Sequence, residues 1–241
     1  MSAGSAAAYR RRMTAPTRDP TSRTLALARA GLWLLPVYGV LLTLSTLTHQ
    51  PDPETDFAGY SRYVTTDLFL ASHLGASILG AGLGLVGLVA ALLLLVRGPA
   101  AVPALVATAL TIVANTLLTA VFAAAAFAQP AIGRAFLAGD ETARDIDADV
   151  YGTPLFSTVG VGLLLFVAGA VVFGRALART SPELRWPGYG YATGLVVFAV
   201  LGIPVPVLQP LGGAVAAFSD TLVAVRLPRA SPVLSPGAGR C

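Results

Sequence analysis

The sequence contains no lysine, so all 16 of its basic residues are arginine. This absence excludes every mechanism that needs a catalytic lysine, including the Schiff base that holds retinal. The chain has one cysteine, Cys241, which excludes a disulfide framework and any all-cysteine zinc or iron–sulfur site. Charged residues make up only 12% of the chain, about half the fraction found in soluble globular proteins. An ordinary soluble domain is therefore excluded.

The sequence is instead rich in long apolar runs. Hydrophobic residues make up 55% of the chain and its mean hydropathy is +0.74. About 20 apolar residues in a helix cross a hydrocarbon core of about 30 Å, and four runs meet that length: 25–48, 68–95, 102–128 and 155–177. The last apolar stretch contains a group of prolines that ends a helix, which divides it into spans 189–208 and 211–225, the second of them short. The sequence thus predicts an all-α polytopic membrane protein with six transmembrane helices, arranged as three helical hairpins.

The distribution of arginine sets the orientation. Thirteen of the 16 arginines fall in segments that a cytoplasmic N-terminus places inside, whereas loops 49–67 and 129–154 hold three arginines and nine acidic residues. This is the bias of the positive-inside rule. Five spans would leave Arg226, Arg229 and Arg240 outside, so six spans with both termini in the cytoplasm fit better. The net charge of +4 then reflects membrane orientation and gives no reason to invoke nucleic acid as a partner.

The two ends of the chain differ from the apolar middle. Residues 1–24 and 227–241 lack apolar periodicity and are expected to be disordered, which leaves 25–226 as a single transmembrane domain. The absence of lysine beside heavy use of alanine, glycine, proline and arginine indicates a GC-rich genome. We therefore expect a multi-pass protein of a bacterial inner membrane, with the lipid bilayer as its main partner.

A repeated dipeptide suggests an internal repeat. The three glutamines, Gln50, Gln129 and Gln209, are each followed by proline and lie 79 and 80 residues apart. Residues 77–85 (SILGAGLGL) also resemble residues 157–165 (STVGVGLLL). Three hairpins of common ancestry would explain both features. The alternative is that glutamine and proline both suit helix ends at the interface, and that glycine-rich helices recur in membranes.

Two ionisable residues within the predicted spans are candidates for function. An ionisable side chain in hydrocarbon costs roughly 2.5–3.5 kcal/mol on insertion scales, so each needs a reason to be there. Asp220 lies in the sixth span on a face of small residues. His73 begins a stripe that continues through Ser77, Gly80 and Gly84 in the second span, which predicts a close helix–helix contact.

Further polar stripes on spans one and three predict a pocket in the outer half of the membrane. The expected lining is His49, His73, Asn115, Thr119, Ser157 and Thr158. The candidate residues for ligand binding or proton relay are His73, Asn115, Asp220, His49 and Thr119. A structural alternative is that the threonines bond their own helix carbonyls and that Asn115 holds two helices together.

No cofactor, catalytic residue or metal site is predicted. Asp145, Asp147 and Asp149 alternate, but an EF-hand loop also needs glycine and glutamate where this chain has Val150 and Phe156. These aspartates are expected to lie in a solvated acidic loop.

Three classes of function are compatible with these features. The first is a non-catalytic scaffold or accessory protein that contacts a membrane protein partner or a small molecule, and we expect this class. The second is a small permease or proton-linked transporter that uses the outer pocket. The third is an intramembrane enzyme acting on a lipid or isoprenoid, which requires His73 and a carboxylate within hydrogen-bonding reach.

Overall fold

A computed structural model describes residues 20–230, and this part of the chain is helical with no strand. The helices are α1 Pro20–Gly31, α2 Leu34–Ser45, α3 Phe57–Val64, α4 Asp67–Ala71, α5 Gly80–Leu95, α6 Ala101–Leu137, α7 Ala143–Val150, α8 Thr153–Thr180, α9 Arg185–Val196 and α10 Leu208–Ala230. A π-helix, Ser72–Leu79, joins α4 to α5, and a second one, Val197–Leu201, extends α9. A 3-10 turn, Pro182–Leu184, precedes α9.

Five helical segments of the described chain are long and apolar enough to cross a membrane: Ser22–Ser45, Asp67–Leu95, Ala101–Leu137, Ala143–Thr180 and Leu208–Ala230. The prediction of a helical membrane protein is confirmed at this level. The predicted fifth span, 189–208, is a shorter helix that begins at Arg185 and whose π-helical extension ends at Leu201. Pro204 and Pro206 follow and prevent it from continuing.

The ends of the described chain are more ordered than expected. Helix α1 begins at Pro20 and α10 continues to Ala230, so residues 20–24 and 227–230 are helical where disorder was predicted. Residues 1–19 and 231–241 of the predicted tails lie outside the described residues.

The first span is interrupted between α1 and α2. Pro36 lies in the first turn of α2, where its ring has no N–H to donate and would clash with the carbonyl of Leu32, four residues back. Leu32 and Trp33 form a turn in response. Leu32 is fully buried and Trp33 is exposed, so the interruption still preserves the buried face of the span.

Helix α6 is the longest element, with 37 residues, and at 1.5 Å per residue it measures about 55 Å. This length exceeds the hydrocarbon thickness of about 30 Å, and the helix continues well past the predicted end at residue 128. Gln129 and Pro130 therefore lie inside α6, whereas Gln50 follows the end of α2 and Gln209 lies in the first turn of α10. The three glutamine–proline pairs thus have three different local structures, and the internal repeat stays a prediction.

Glycines allow the main helices to pack at backbone distance. A Cβ placed on Gly39 would lie 2.6 Å from Cα of Ala217, so α2 and α10 touch through their backbones. A Cβ on Gly194 would lie 2.6 Å from the backbone nitrogen of Ala216, which joins α9 to α10. The predicted glycine face of the second span packs closely on α2, where Gly84 contacts the ring of Tyr38. Small residues at interfaces are the usual means of close helix packing in membranes.

A second, separate core lies at one end of the bundle. We call this region the cap; it consists of α3, α4, α7 and the end of α6 from Ala125 to Leu137. Its buried apolar residues include Phe57, Tyr60, Val64, Phe69, Ala125, Ile132 and Ala143. The guanidinium of Arg144 lies 4.7 Å from the ring centroid of Phe57, an arrangement that favours a cation–π contact. The segments 49–67 and 129–154, which were predicted as loops, are thus partly helical, and their helices pack against one another in the cap.

Substitution of Gly39 by alanine tests the backbone contact between α2 and α10. Because the added Cβ meets the backbone of Ala217 and not a flexible side chain, we expect Gly39→Ala to destabilise the protein by about 1–3 kcal/mol. The matched control is Gly82→Ala, since a Cβ at Gly82 meets nothing within 4 Å. Thermal unfolding in one detergent compares the two variants, and equal midpoints would contradict the contact.

Candidate functional site

A cavity of about 330 Å³ lies inside the bundle at the end nearest the cap. We call it the intrabundle cavity. Its walls include apolar side chains from α6, α8 and the second π-helix, among them Leu118, Phe122, Leu163 and Phe198. Its polar lining residues are Ser45, Thr46, Ser72, His73, Ser77 and Gln209. Apolar walls with a few polar groups are the usual composition of small-molecule sites, which have volumes of about 300–1,000 Å³.

Both π-helical segments of the described chain contribute to this cavity. The first supplies Ser72, His73 and Ser77, and the second supplies Phe198 and Ala199. The hydroxyl of Ser77 donates to the carbonyl of Ser72, five residues back, at 3.3 Å. Single π-turns within α-helices are rare and are found frequently at functional sites.

His73 has a defined hydrogen-bonding state in this cavity. Its Nδ1 lies 3.0 Å from the carbonyl oxygen of Phe69, and a carbonyl oxygen can only accept a hydrogen bond. The Ser72 hydroxyl, 3.2 Å from Nδ1, donates to the same carbonyl at 2.8 Å. With the proton on Nδ1, which lets it donate to Phe69, Nε2 of the neutral ring keeps its lone pair. The imidazole also stacks on the ring of Phe69, with centroids 4.1 Å apart. His73 is thus held in one orientation and can accept a hydrogen bond through Nε2.

The other residues predicted for the pocket lie elsewhere. His49 is exposed in the loop after α2, and Asn115, which is 5% exposed, is buried on α6. Thr119 is half-buried on α6 but does not line the intrabundle cavity. Ser157 and Thr158 lie near the start of α8 and also do not line it. Of the predicted lining, only His73 is part of the cavity.

The polar stripe of α6 faces another helix instead. Thr111 contacts Gly169 of α8, and the hydroxyls of Thr108 and Thr111 donate to the carbonyls of Ala104 and Ala107 at 2.8 Å. These bonds satisfy each hydroxyl within its own helix, which fits the structural alternative for the threonines. Leu118 and Phe122 continue the same face of α6 toward the cap, and these apolar residues, not the polar ones, line the cavity.

Asp220 lies deep in the bundle. It is 1% exposed, on the part of α10 that packs between α2 and α9. Its carboxyl group is close enough to Tyr38 and Tyr191 to interact electrostatically with both hydroxyl groups. Within residues 20–230, however, Oδ1 has no hydrogen-bond partner. Sequence analysis identified this carboxylate but did not identify Tyr191 as a neighbour.

The structure does not bring His73 and Asp220 together. Gln209 lines the same cavity as His73, and Asp220 lies eleven residues further along α10, which corresponds to about 16 Å. No carboxylate is among the described residues that line the intrabundle cavity. The geometry therefore lacks the histidine–carboxylate pair that the enzyme hypothesis requires.

A polar cluster in the cap was missed by sequence analysis. Tyr60 donates a 2.8 Å hydrogen bond to Asp147, which is only 7% exposed. The expectation that Asp147 is solvated is therefore wrong, because α7 turns this side chain into the cap while Asp145 and Asp149 stay exposed. Burial and the bond to Asp147 raise the pKa of Tyr60, so its hydroxyl remains a donor.

Comparisons with known proteins provide no relative for this chain, since no family model, curated protein or solved structure matches it. Function must therefore be argued from the geometry alone.

Substitution of Asp220 by asparagine tests whether its carboxylate makes a charged contact that stabilises the fold. An ionised carboxylate buried without a cation costs several kcal/mol, whereas an amide of the same shape carries no charge. We expect Asp220→Asn to keep or raise the thermal midpoint at pH 8, and exposed Asp145→Asn serves as the control. A fall of more than about 3 °C, or roughly 1 kcal/mol, would show that the carboxylate makes a specific charged contact.

Proposed function

We propose that this chain is a non-catalytic accessory protein of the membrane that binds a small molecule in the intrabundle cavity. The observation that carries the proposal is the cavity itself, in which apolar walls surround a histidine whose Nδ1 is held on the carbonyl of Phe69. No acidic or basic residue except His73 lines it among the described residues, which favours an uncharged ligand because an unpaired buried charge is costly.

The polar groups define the chemistry of this ligand. Nε2 of neutral His73 accepts a hydrogen bond, and the amide of Gln209 can donate and accept. An uncharged molecule with a hydroxyl group at one end and an apolar body would satisfy both. Its body would lie against Phe122 and Phe198, which line the cavity from α6 and the second π-helix.

The first experiment is native mass spectrometry of protein extracted gently from its own membrane. We expect a retained small molecule in the wild type. Loss of one hydrogen bond in His73→Ala should weaken binding about 2- to 10-fold. Ala199→Leu should exclude the ligand by filling the cavity, because Ala199 lines it and is 4% exposed.

Ser157→Ala is the matched control, since Ser157 is exposed and does not line the cavity. A wild-type protein that carries no small molecule, or one that retains the same molecule in both cavity variants, would contradict the proposal.

A small permease is the second candidate, and the position of Asp220 favours it. The buried carboxylate lies about 16 Å beyond the cavity along α10, where protonation could bias two arrangements of the helices. Reconstituted vesicles with a pH gradient would then show flux of the cavity ligand in the wild type. Flux that is unchanged in both Asp220→Asn and His73→Ala would exclude this candidate.

We further propose six crossings of a bacterial inner membrane, with both termini in the cytoplasm. Helix α9 supports a sixth crossing because it packs between α8 and α10. Its Gly188 contacts Gly174 of α8 near one end, and Gly202, after its π-helical extension, contacts Gln209 near the other. Arg226 also donates to the carbonyl of Glu183 at 2.9 Å, so the end of α10 lies beside the turn after α8.

The single cysteine allows a direct test of this topology. In intact cells we expect an impermeant thiol reagent to leave native Cys241 unlabelled and to label Asp52→Cys in a Cys241→Ser background. Permeabilised cells provide the control, in which both thiols should react. Labelling of both positions from the same side would contradict an even number of crossings.

A further inference from the structure

The cap contains a buried carboxylate without a cationic partner. Asp147 accepts a hydrogen bond only from Tyr60 in the described structure. The nearest arginine in sequence, Arg144, lies over the rings of Phe57 and Phe136, and its only ion pair within residues 20–230 is with Glu141 at 3.7 Å. Buried charges in proteins are normally paired or bound to a metal, so this carboxylate lacks its expected counter-charge.

The same end of the bundle also contains buried oxygen atoms without hydrogen-bond partners. Within the described residues they are the hydroxyl of Ser61, the amide oxygen of Gln129 and the hydroxyl of Tyr151. Ser61 is fully buried and Gln129 is 6% exposed. Each unpartnered buried oxygen of a native structure calls for an explanation, and a bound ion or water is one.

Two of these groups lie close to the carboxylate. Tyr151 lies one turn after Asp147, and its hydroxyl is near enough to the Asp147 carboxylate to interact electrostatically. The same hydroxyl lies beside the Gln129 side chain, although neither the hydroxyl nor the amide oxygen makes a hydrogen bond of normal geometry in the described residues. The cluster thus consists of one carboxylate, one amide and one hydroxyl, from α7, α6 and the residue that follows α7.

We propose that the cap binds a hard cation, Na⁺ or Ca²⁺, among the oxygens of Asp147, Gln129 and Tyr151. Hard cations select carboxylate, carbonyl and hydroxyl oxygens and complete their coordination with water. A cation would supply the charge that Asp147 lacks and would use the unpartnered oxygens. The site is independent of the intrabundle cavity and of the function proposed for it.

Thermal unfolding in detergent tests the site with the metal alone as the probe. Chloride salts of Na⁺ or Ca²⁺ are titrated against choline chloride at constant ionic strength, which removes the effect of screening. We expect a saturating rise in the wild-type midpoint of about 2–4 °C with at least one metal, since a ligand that binds only the folded state stabilises it. The same rise is expected in Asp145→Asn, whose side chain is exposed on the same helix.

The rise should be absent in Asp147→Asn and reduced in Tyr151→Phe, which removes one oxygen and no charge. If Asp147→Asn does not fold, the test uses Tyr151→Phe and Gln129→Leu, in each of which the metal-dependent rise of the midpoint should be reduced. A wild-type midpoint equal in choline, Na⁺ and Ca²⁺ would overturn the proposal and leave Asp147 as a neutral acid beside buried water. A metal response that is unchanged in all three cap variants would also overturn it.

Discussion

Backbone contact between helices is the constraint on which the rest of the structure depends. Gly39 against Ala217 and Gly194 against Ala216 hold α2, α10 and α9 closer than side chains would allow. In a bilayer the hydrophobic effect does not drive helices together, so packing of this kind supplies much of the association energy. The same contacts enclose Asp220 on α10. Its carboxylate therefore reaches neither lipid nor water.

The intrabundle cavity is a space that lies beside such close contacts, since its lining residues Phe198 and Gln209 themselves pack against Gly212 and Gly202. The two π-helical segments lie at its sides, and a π-turn widens a helix and shifts the register of its side chains. His73 is thereby turned toward the cavity while its Nδ1 is fixed on the carbonyl of Phe69. A tightly packed bundle with one widened region is suited to binding a ligand, and this contrast supports the proposed function.

Sequence reasoning succeeded where hydropathy decides the structure and failed where tertiary contacts decide it. Span 68–95 was predicted almost to the residue, since a long apolar run in a membrane protein has few alternatives to a helix. The extension of α6 to Leu137 was missed because residues after Gln129 are less apolar, and only their packing with α3 and α7 keeps them helical. The period of the Thr108–Thr111–Asn115 stripe was visible, but period alone does not show that the stripe faces α8.

The site itself could be predicted only in part. His73 and Asp220 were detectable because an ionisable residue in an apolar run is unusual. Gln209 was noticed as part of a repeat, although its role is to line the cavity. The π-helices and the burial of Asp147 left no local signal in the sequence, since both arise from contacts between distant segments.

An experimental structure of the protein in its native lipids is the most direct test of the central claim. The account predicts that residues 72–79 and 197–201 keep π-helical hydrogen bonds and that density for a bound molecule lies within reach of His73 Nε2 and Gln209. Regular α-helix through residues 72–79, with the side chains of α2, α6 and α10 closed over His73 and no cavity between them, would contradict it.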